Sequence, residues 1–272
     1  MGTTAIRHPA VAGQFYPRNA NTLLADLHSY LSPAATALVP ALGGVVPHAG
    51  YMYSGHVAGA VYARLLIPAR CILLCPNHTG MGEPLSIMSE GAWETPLGSV
   101  TIDSELASAL LARFPLLAQN SEAHRAEHAI EVQLPFLLAK RRDVLFVPIA
   151  IGTRHYDALR GLGEAIGEVL ATRDDRVLVL ASSDMNHYES DQVTRVKDQK
   201  AIERILALDP RGLHDVVTSD HISMCGYGPT VAMLTAAKGQ GATSAELIKY
   251  ATSGDVSGDR SMVVGYAGVL VS

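Results

Sequence analysis

The sequence has no apolar run long enough to cross a bilayer, no basic stripe and few cysteines, and each absence removes a class of function. Apolar stretches such as Arg70–Pro76 and Val177–Ala181 fall far short of the roughly 20 residues that a membrane-spanning helix needs. The opening residues MGTTAIRHPAVAGQFYP hold no uninterrupted apolar segment of signal-peptide length. They approach the N-myristoylation pattern, but Ile6 stands where Ser or Thr is required. The 21 Lys and Arg are scattered among 26 Asp and Glu, for a net charge of −5; without a basic patch, nucleic acid is not an expected partner, and a membrane is not one either. The 3 cysteines cannot all pair, and Cys71 and Cys75 share one strand-like run, which points to a reducing, cytoplasmic setting. P-loop, H-E-x-x-H and G-x-S-x-G patterns are missing too, against P-loop nucleotide hydrolysis, zincin-type proteolysis and an α/β-hydrolase triad built on Ser183 and Asp184. No repeat, low-complexity tract or long linker interrupts the chain, so residues 1–272 are expected to form one domain.

Apolar residues make up 48% of the chain and charged ones 17%, enough for a sizeable core. Short β-branched runs alternate with helical patterns at βαβ spacing, which predicts an α/β fold: a mostly parallel central sheet flanked by helices. Strands are expected at 42–46, 70–75, 144–152, 177–182, 245–252 and 262–271, and a hairpin excursion at 84–102 turning at Thr95–Gly98. Helices are expected at 55–66, 104–113, 125–140 with a kink at Pro135, 155–171, 191–208 and 228–238.

Three of these strands run into a loop with a histidine close behind: Pro47-His48-Ala49-Gly50, Pro76-Asn77-His78 and Ser183-Asp184-Met185-Asn186-His187. Ligands of open parallel sheets bind outside the carboxyl ends of the strands. If the three strands are parallel neighbours, their imidazoles meet at one rim as metal ligands or as a general base. One such histidine alone is more often a surface residue; three in equivalent positions argue for a site. Cys225, in Met224-Cys225-Gly226-Tyr227-Gly228-Pro229, precedes a helix. There a thiolate nucleophile or ligand is favoured, although a small buried hydrophobe, as expected for Cys71 and Cys75, is the alternative. In Arg125–Pro135, a helix would put Glu127 and Glu131 on one face beside His128. These could supply a ligand and base, orient the ligands, or form a solvated helix face.

The same motifs, with Ala10–Pro17, Pro47–Gly55, Trp93–Gly98, Glu127–Leu137, Ser182–Tyr188 and Cys225–Pro229 in this order, resemble the Memo family, called AmmeMemoRadiSam system protein B in prokaryotes. The resemblance runs nearly end to end. It implies a fold like the catalytic subunits of class III extradiol ring-cleaving dioxygenases, and one mononuclear metal ion, Fe(II) or else Cu or Zn. By that resemblance His48, His78 and Cys225 are the metal ligands, His187 is the acid/base, and Asp184 supports it or ligates. Glu127, His128, Glu131, Tyr53 and Asn77 would orient ligands or touch substrate. Phe15, Tyr16, Tyr51, Tyr53 and Trp93 could form an aromatic rim, or pack in the core. A thiolate replaces the dioxygenases' glutamate, which suits soft metals and is itself oxidisable. The implied activities are a metal-dependent oxidoreductase acting on a small hydroxylated molecule, or a non-catalytic effector binding metal or peptide in the same pocket. AMMECR1-like and radical-SAM proteins are the implied partners.

Overall fold

The computed structural model describes residues 5–32 and 37–272. A short β1 (Ile6–Arg7) leads to α1 (Ala20–Tyr30), where the Asn19 side chain accepts from the N–H groups of Asn21 and Thr22 and so caps the helix. The fully buried GGVV run forms β2 (Gly43–Val46), followed by α2 (Tyr51–Arg64) and a second apolar run, β3 (Arg70–Pro76). Next come β4 (Leu85–Ile87), β5 (Ala92–Thr95) and β6 (Gly98–Ile102). Asp103 caps α3 (Ser104–Arg113), and β7 (Ala118–Gln119) and α4 (Glu122–Arg125) complete this excursion. A 3-10 turn at Glu131–Gln133 enters α5 (Leu134–Lys140), and β8 (Leu145–Ile151), α6 (Tyr156–Ala171) and β9 (Val177–Ser182) resume the strand–helix–strand pattern. The last stretch holds β10 (His187–Glu189), α7 (Asp191–Leu206), α8 (Pro210–Ser219) and α9 (Tyr227–Gly239). It ends with β11 (Ala245–Thr252), α10 (Gly254–Ser257) and β12 (Val263–Val271).

All the strands join one sheet whose main path is β1-β5-β6-β8-β3-β9-β2-β12-β10, so segments near both chain ends meet in it. Its centre, β6-β8-β3-β9-β2, is parallel. Antiparallel β12 closes one side, and the β5/β6 hairpin lies toward the other. The central strands are apolar on both faces because both faces are covered. Along β3, Ile72 and Leu74 face the core under α6 and α9, while Cys71, Leu73 and Cys75 face the core under α1, α2 and α5. Cys71 and Cys75 are thus buried small hydrophobes, and burial pushes both thiols up, Cys71 to about 12. Among the described residues, no helix is long and apolar enough to cross a membrane.

Three expectations need correction. The stretch 84–102 is not one hairpin: β5 and β6 turn at Thr95–Gly98 as expected, but β4 pairs with β7 and β8. Helix α2 starts at Tyr51, ahead of the expected Gly55. Most consequentially, 125–140 is not one helix. Helix α4 ends at Arg125, residues 126–130 are irregular, and Pro135 sits unstrained in the first turn of α5. Glu127 and Glu131 therefore do not share a helix face. Both are fully buried, and each finds its partners elsewhere. Glu131 accepts from Arg7 Nη1 (2.7 Å), Tyr16 Oη (2.8 Å) and the N–H groups of Ala10 and Val11. Glu127 accepts from the N–H of Ala129, two residues on (3.0 Å), a local bond that competes with the helical ladder. Trp93, Tyr16 and Tyr51 are core residues, with the Arg7 guanidinium 4.1 Å above the Trp93 ring.

Glu131 is thus the anchor of the N-terminal arm, not a surface carboxylate. Replacing Arg7 with Met leaves that buried charge without its cationic partner, and should destabilise the protein by about 3 kcal/mol. The shift in urea-unfolding midpoint measures this; a loss below about 1 kcal/mol, the range of exposed pairs, contradicts the assignment.

Candidate metal centre

Strand β9 lies between β2 and β3, parallel to both, with Val46 in register with Ser182 and Leu74 with Ala181. The three histidine-bearing loops therefore leave the sheet at adjacent carboxyl ends. Polar side chains then lock them together. Asp184 Oδ1 accepts from the N–H groups of His48 (2.8 Å) and Ala49 (3.3 Å), tying the loop after β2 to the loop after β9. Gln133 Nε2 donates to the Pro47 carbonyl and to Ser182 Oγ. Glu127 accepts from the N–H of His78 (2.6 Å) and stands 2.9 Å from its Nδ1.

The irregular segment before the 3-10 turn brings in a fourth ring. His128 stacks on His78 with centroids 4.7 Å apart and meets His48 edge-on at 5.4 Å. His48, His78 and His128 each offer a ligand atom, all within 4.8 Å of one another. The Nδ1 atoms of His48 and His78 are hydrogen-bonded. Ser182 Oγ donates its proton to the Ala129 carbonyl (2.6 Å) and so receives one from His48 Nδ1 (3.1 Å), leaving His48 Nε2 as a free acceptor. Glu127 Oε1 fixes His78 Nδ1 and lies 3.4 Å from His128 Nδ1. Three close imidazoles oriented by a carboxylate and a hydroxyl form a donor set that fits one divalent transition ion.

His128, expected to orient ligands, is thus in the group that could hold an ion. Cys225 stands at its edge: Sγ is 3.3 Å from His48 Nε2, but the sulfur is not among the mutually close atoms. Gly226 lets this turn press against β9, since a methyl there would collide with the Ser182 carbonyl and Ser183 side chain. The expected helix-end activation of this thiol is opposed by its surroundings. Burial, with the nearby Asp184 carboxylate, pushes the Cys225 thiol well up. Asp184 Oδ2 lies 3.9 Å from His48 Nε2, and burial raises its carboxyl despite the two backbone bonds.

His187 does not join the close group, but it lines the same depression, a hollow of about 590 Å³ walled also by Phe15 and Tyr188. Its Nδ1 donates to the Ser223 carbonyl (3.0 Å), leaving Nε2 as the acceptor, and its N–H donates to Ser223 Oγ (2.7 Å). Asn186 Oδ1 in turn accepts from Ser223, and buried Asp198 holds the Asn186 N–H (2.8 Å). Tyr188, part of the Ser182–Tyr188 motif but not among the expected site residues, is 71% exposed at a left-handed φ of 59°. Such a backbone is uncommon outside glycine and costs energy. Of the other candidates, Asn77 spends its amide on its own loop, donating to the Met81 carbonyl and accepting from Thr79 and Gly80. Tyr53 packs with Val57, Ala251 and Tyr266, away from the depression.

Protonation differs among the rings. Burial, with the charges of His128 and His78, lowers His48, and burial also lowers His128. Burial works against the charged form of His78 too, but the hydrogen bond and charge of Glu127 outweigh it and raise His78. Glu127 is held down at about 2: burial opposes this, and the His78 bond, the His78 charge and the Ala129 N–H prevail. A raised His78 keeps its proton to higher pH, so metal affinity should fall with acidification first through His78, while His48 stays neutral. In alkaline buffer, above the ordinary imidazole range, the burial-raised Cys225 thiol keeps its proton. Binding by three histidines then releases almost no protons, whereas binding that recruits Cys225 releases about one. Proton release in two buffers of different ionisation enthalpy reads the difference. Glu127→Gln should weaken metal binding about 10- to 100-fold in a chelator-competition titration; unchanged affinity removes Glu127 from the site.

A sequence profile described as "Memo-like protein" matches residues 7–270. MEMO1 family proteins of Methanopyrus kandleri (45% identical, covering 97% of this chain and 98% of that one) and Methanothermobacter thermautotrophicus (41%, covering 96% and 99%) are among its relatives. Another, from Pyrobaculum aerophilum, is 42% identical over 97% of this chain and 98% of its own. In fold alone, the chain is similar to the crystal structure of an uncharacterised Escherichia coli protein, with a TM-score of 0.51 at 14% identity, covering 84% of this chain and 98% of that one. With a profile match and full-length relatives in agreement, the chain belongs to the Memo family.

Proposed function

We propose that the protein is a metal-dependent oxidoreductase acting on a small hydroxylated molecule, with Fe(II) the working ion and Cu or Zn the competitors for the site. The observation that carries this reading is the meeting of His48, His78 and His128 on the wall of an open depression, with His187 Nε2 free beside them. His48 and His78 would hold the ion with His128 or Cys225. When bound, an iron ion supplies the one-electron chemistry that lets O₂ react with a closed-shell organic substrate. For a ring bearing two adjacent hydroxyls the balance closes on O₂ alone: the ring C–C bond breaks, each carbon gains one oxygen atom, and no outside reductant is consumed.

The chain's own residues supply the rest. His187 Nε2 takes the proton of a substrate hydroxyl, because the Ser223 carbonyl holds the ring in the Nδ1–H form. Asp184 holds the His48 loop through two backbone N–H groups. Phe15 and Tyr188 offer flat apolar surface for a planar substrate. The same family setting suggests AMMECR1-like and radical-SAM proteins as partners, a reading that co-purification checks.

Anaerobic loading with Fe(II), followed by O₂-electrode measurements over a panel of catechols, tests the activity. Substrate-dependent O₂ uptake is expected, and its failure across the panel with a fully loaded site rejects the oxidoreductase. His187→Ala should lower kcat about 100-fold or more while leaving iron stoichiometry unchanged. An equal loss of iron and rate would make His187 a ligand instead.

A further inference from the structure

The metal depression is one arm of a larger cleft. A second cavity of about 850 Å³ joins it, and His78, Ser223 and Cys225 belong to the walls of both. The combined space exceeds what a simple dihydroxybenzene needs, since pockets of roughly 300–1,000 Å³ enclose drug-sized ligands. Ile151, Val217, Ile222 and Met224 make part of the second arm's lining apolar, and Arg154 and His221 line it too.

Its charge runs against that of the protein. The chain has 26 acidic and 21 basic residues, yet no Asp or Glu lines this cavity. The carboxylates just behind the wall are already spent: Asp215 pairs with Arg211, and Asp157 and Glu164 pair with Arg160. Lys197 is bound to Glu189 and to the His221 carbonyl. Among the described residues, the Arg154 side chain has no carboxylate in ion-pair range and no hydrogen-bond acceptor. It lines the cavity together with Tyr227. Its backbone is fixed: His214 Nε2 donates to the Arg154 carbonyl (3.1 Å), and His214 packs between the rings of Tyr156 and Tyr227. A guanidinium held by its main chain, lacking a partner and facing an acid-free cavity, suits an oxyanion, which it grips with two parallel N–H bonds.

We infer that the second arm is an oxyanion subsite: the substrate carries a carboxylate or phosphate, separated by an apolar spacer from the group that reaches the histidines, and Arg154 binds it. This rests on the metal depression being the reaction site, but anion binding itself needs no metal and is measured separately. The probes are 3-phenylpropionate, phenyl phosphate and the neutral 3-phenylpropanol, titrated calorimetrically into the full-length protein with and without Fe(II) at low and high salt. At least one anion should bind about tenfold or more tightly than the alcohol, with or without iron, and the preference should shrink with salt. Arg154→Gln should abolish the preference, and Arg154→Lys should restore part of it, at unchanged iron stoichiometry and thermal stability. Whichever anion retains the preference identifies the group as carboxylate or phosphate. Equal binding of anions and alcohol, no binding of either anion, or a preference that survives Arg154→Gln overturns the subsite. Inactivity toward every catechol, with anion preference intact, overturns the oxidoreductase reading and leaves the subsite standing.

Discussion

Glu127 is buried with no solvent exposure, and the site is arranged around it. It receives the backbone and ring of His78, lies against the ring of His128, and turns its own chain through the Ala129 N–H. A charged carboxylate in the interior is costly unless every oxygen is engaged, so its demand for donors fixes where the two loops go. Four residues later, Glu131 makes the same demand of Arg7, Tyr16 and two backbone N–H groups, and thereby carries Phe15 to the edge of the depression. Removing the helix from this stretch is the structural cost of meeting both demands at once. The rings are aligned in return.

The sheet was largely legible because its strands are buried on both faces and read as unbroken apolar runs; β3, β8 and β9 fall close to their expected limits. Elements governed by tertiary contacts were not legible. The two-residue strands β1 and β7 are too short to carry a periodic signal; helix α8 was missed although Asp209 caps it, Pro210 opens it and Leu213 and Val217 share one buried face, and the 125–140 helix was a false positive because Leu134–Lys140 does continue as one. The convergence of His48 and His78 was legible from the repeated strand-end pattern. His128 was not, because its place depends on where the chain leaves the helix, and nothing in Glu127–Glu131 announces that. The adjacency of Glu127 and His128 was the available clue.

Electrostatics within the site divide the labour between groups of the same type. One histidine is kept neutral by burial among its neighbours, another is kept basic by a carboxylate, and a third faces the opening with its tautomer set by a carbonyl. Cys225 is kept a thiol by the same burial that would stabilise a bond to a soft cation once formed. Oxidation runs through the thiolate, so surroundings that disfavour that form also disfavour oxidation of the sulfur.

The position of β9 between β2 and β3 carries a consequence for assembly. The two outer strands lie close in sequence, but the one separating them is made about a hundred residues later. During synthesis, the first two loops must wait unfinished until that wedge arrives, a long-range pairing of the kind that slows folding. Metal affinity should therefore appear only at the end of folding, making ion uptake a reporter of the completed sheet.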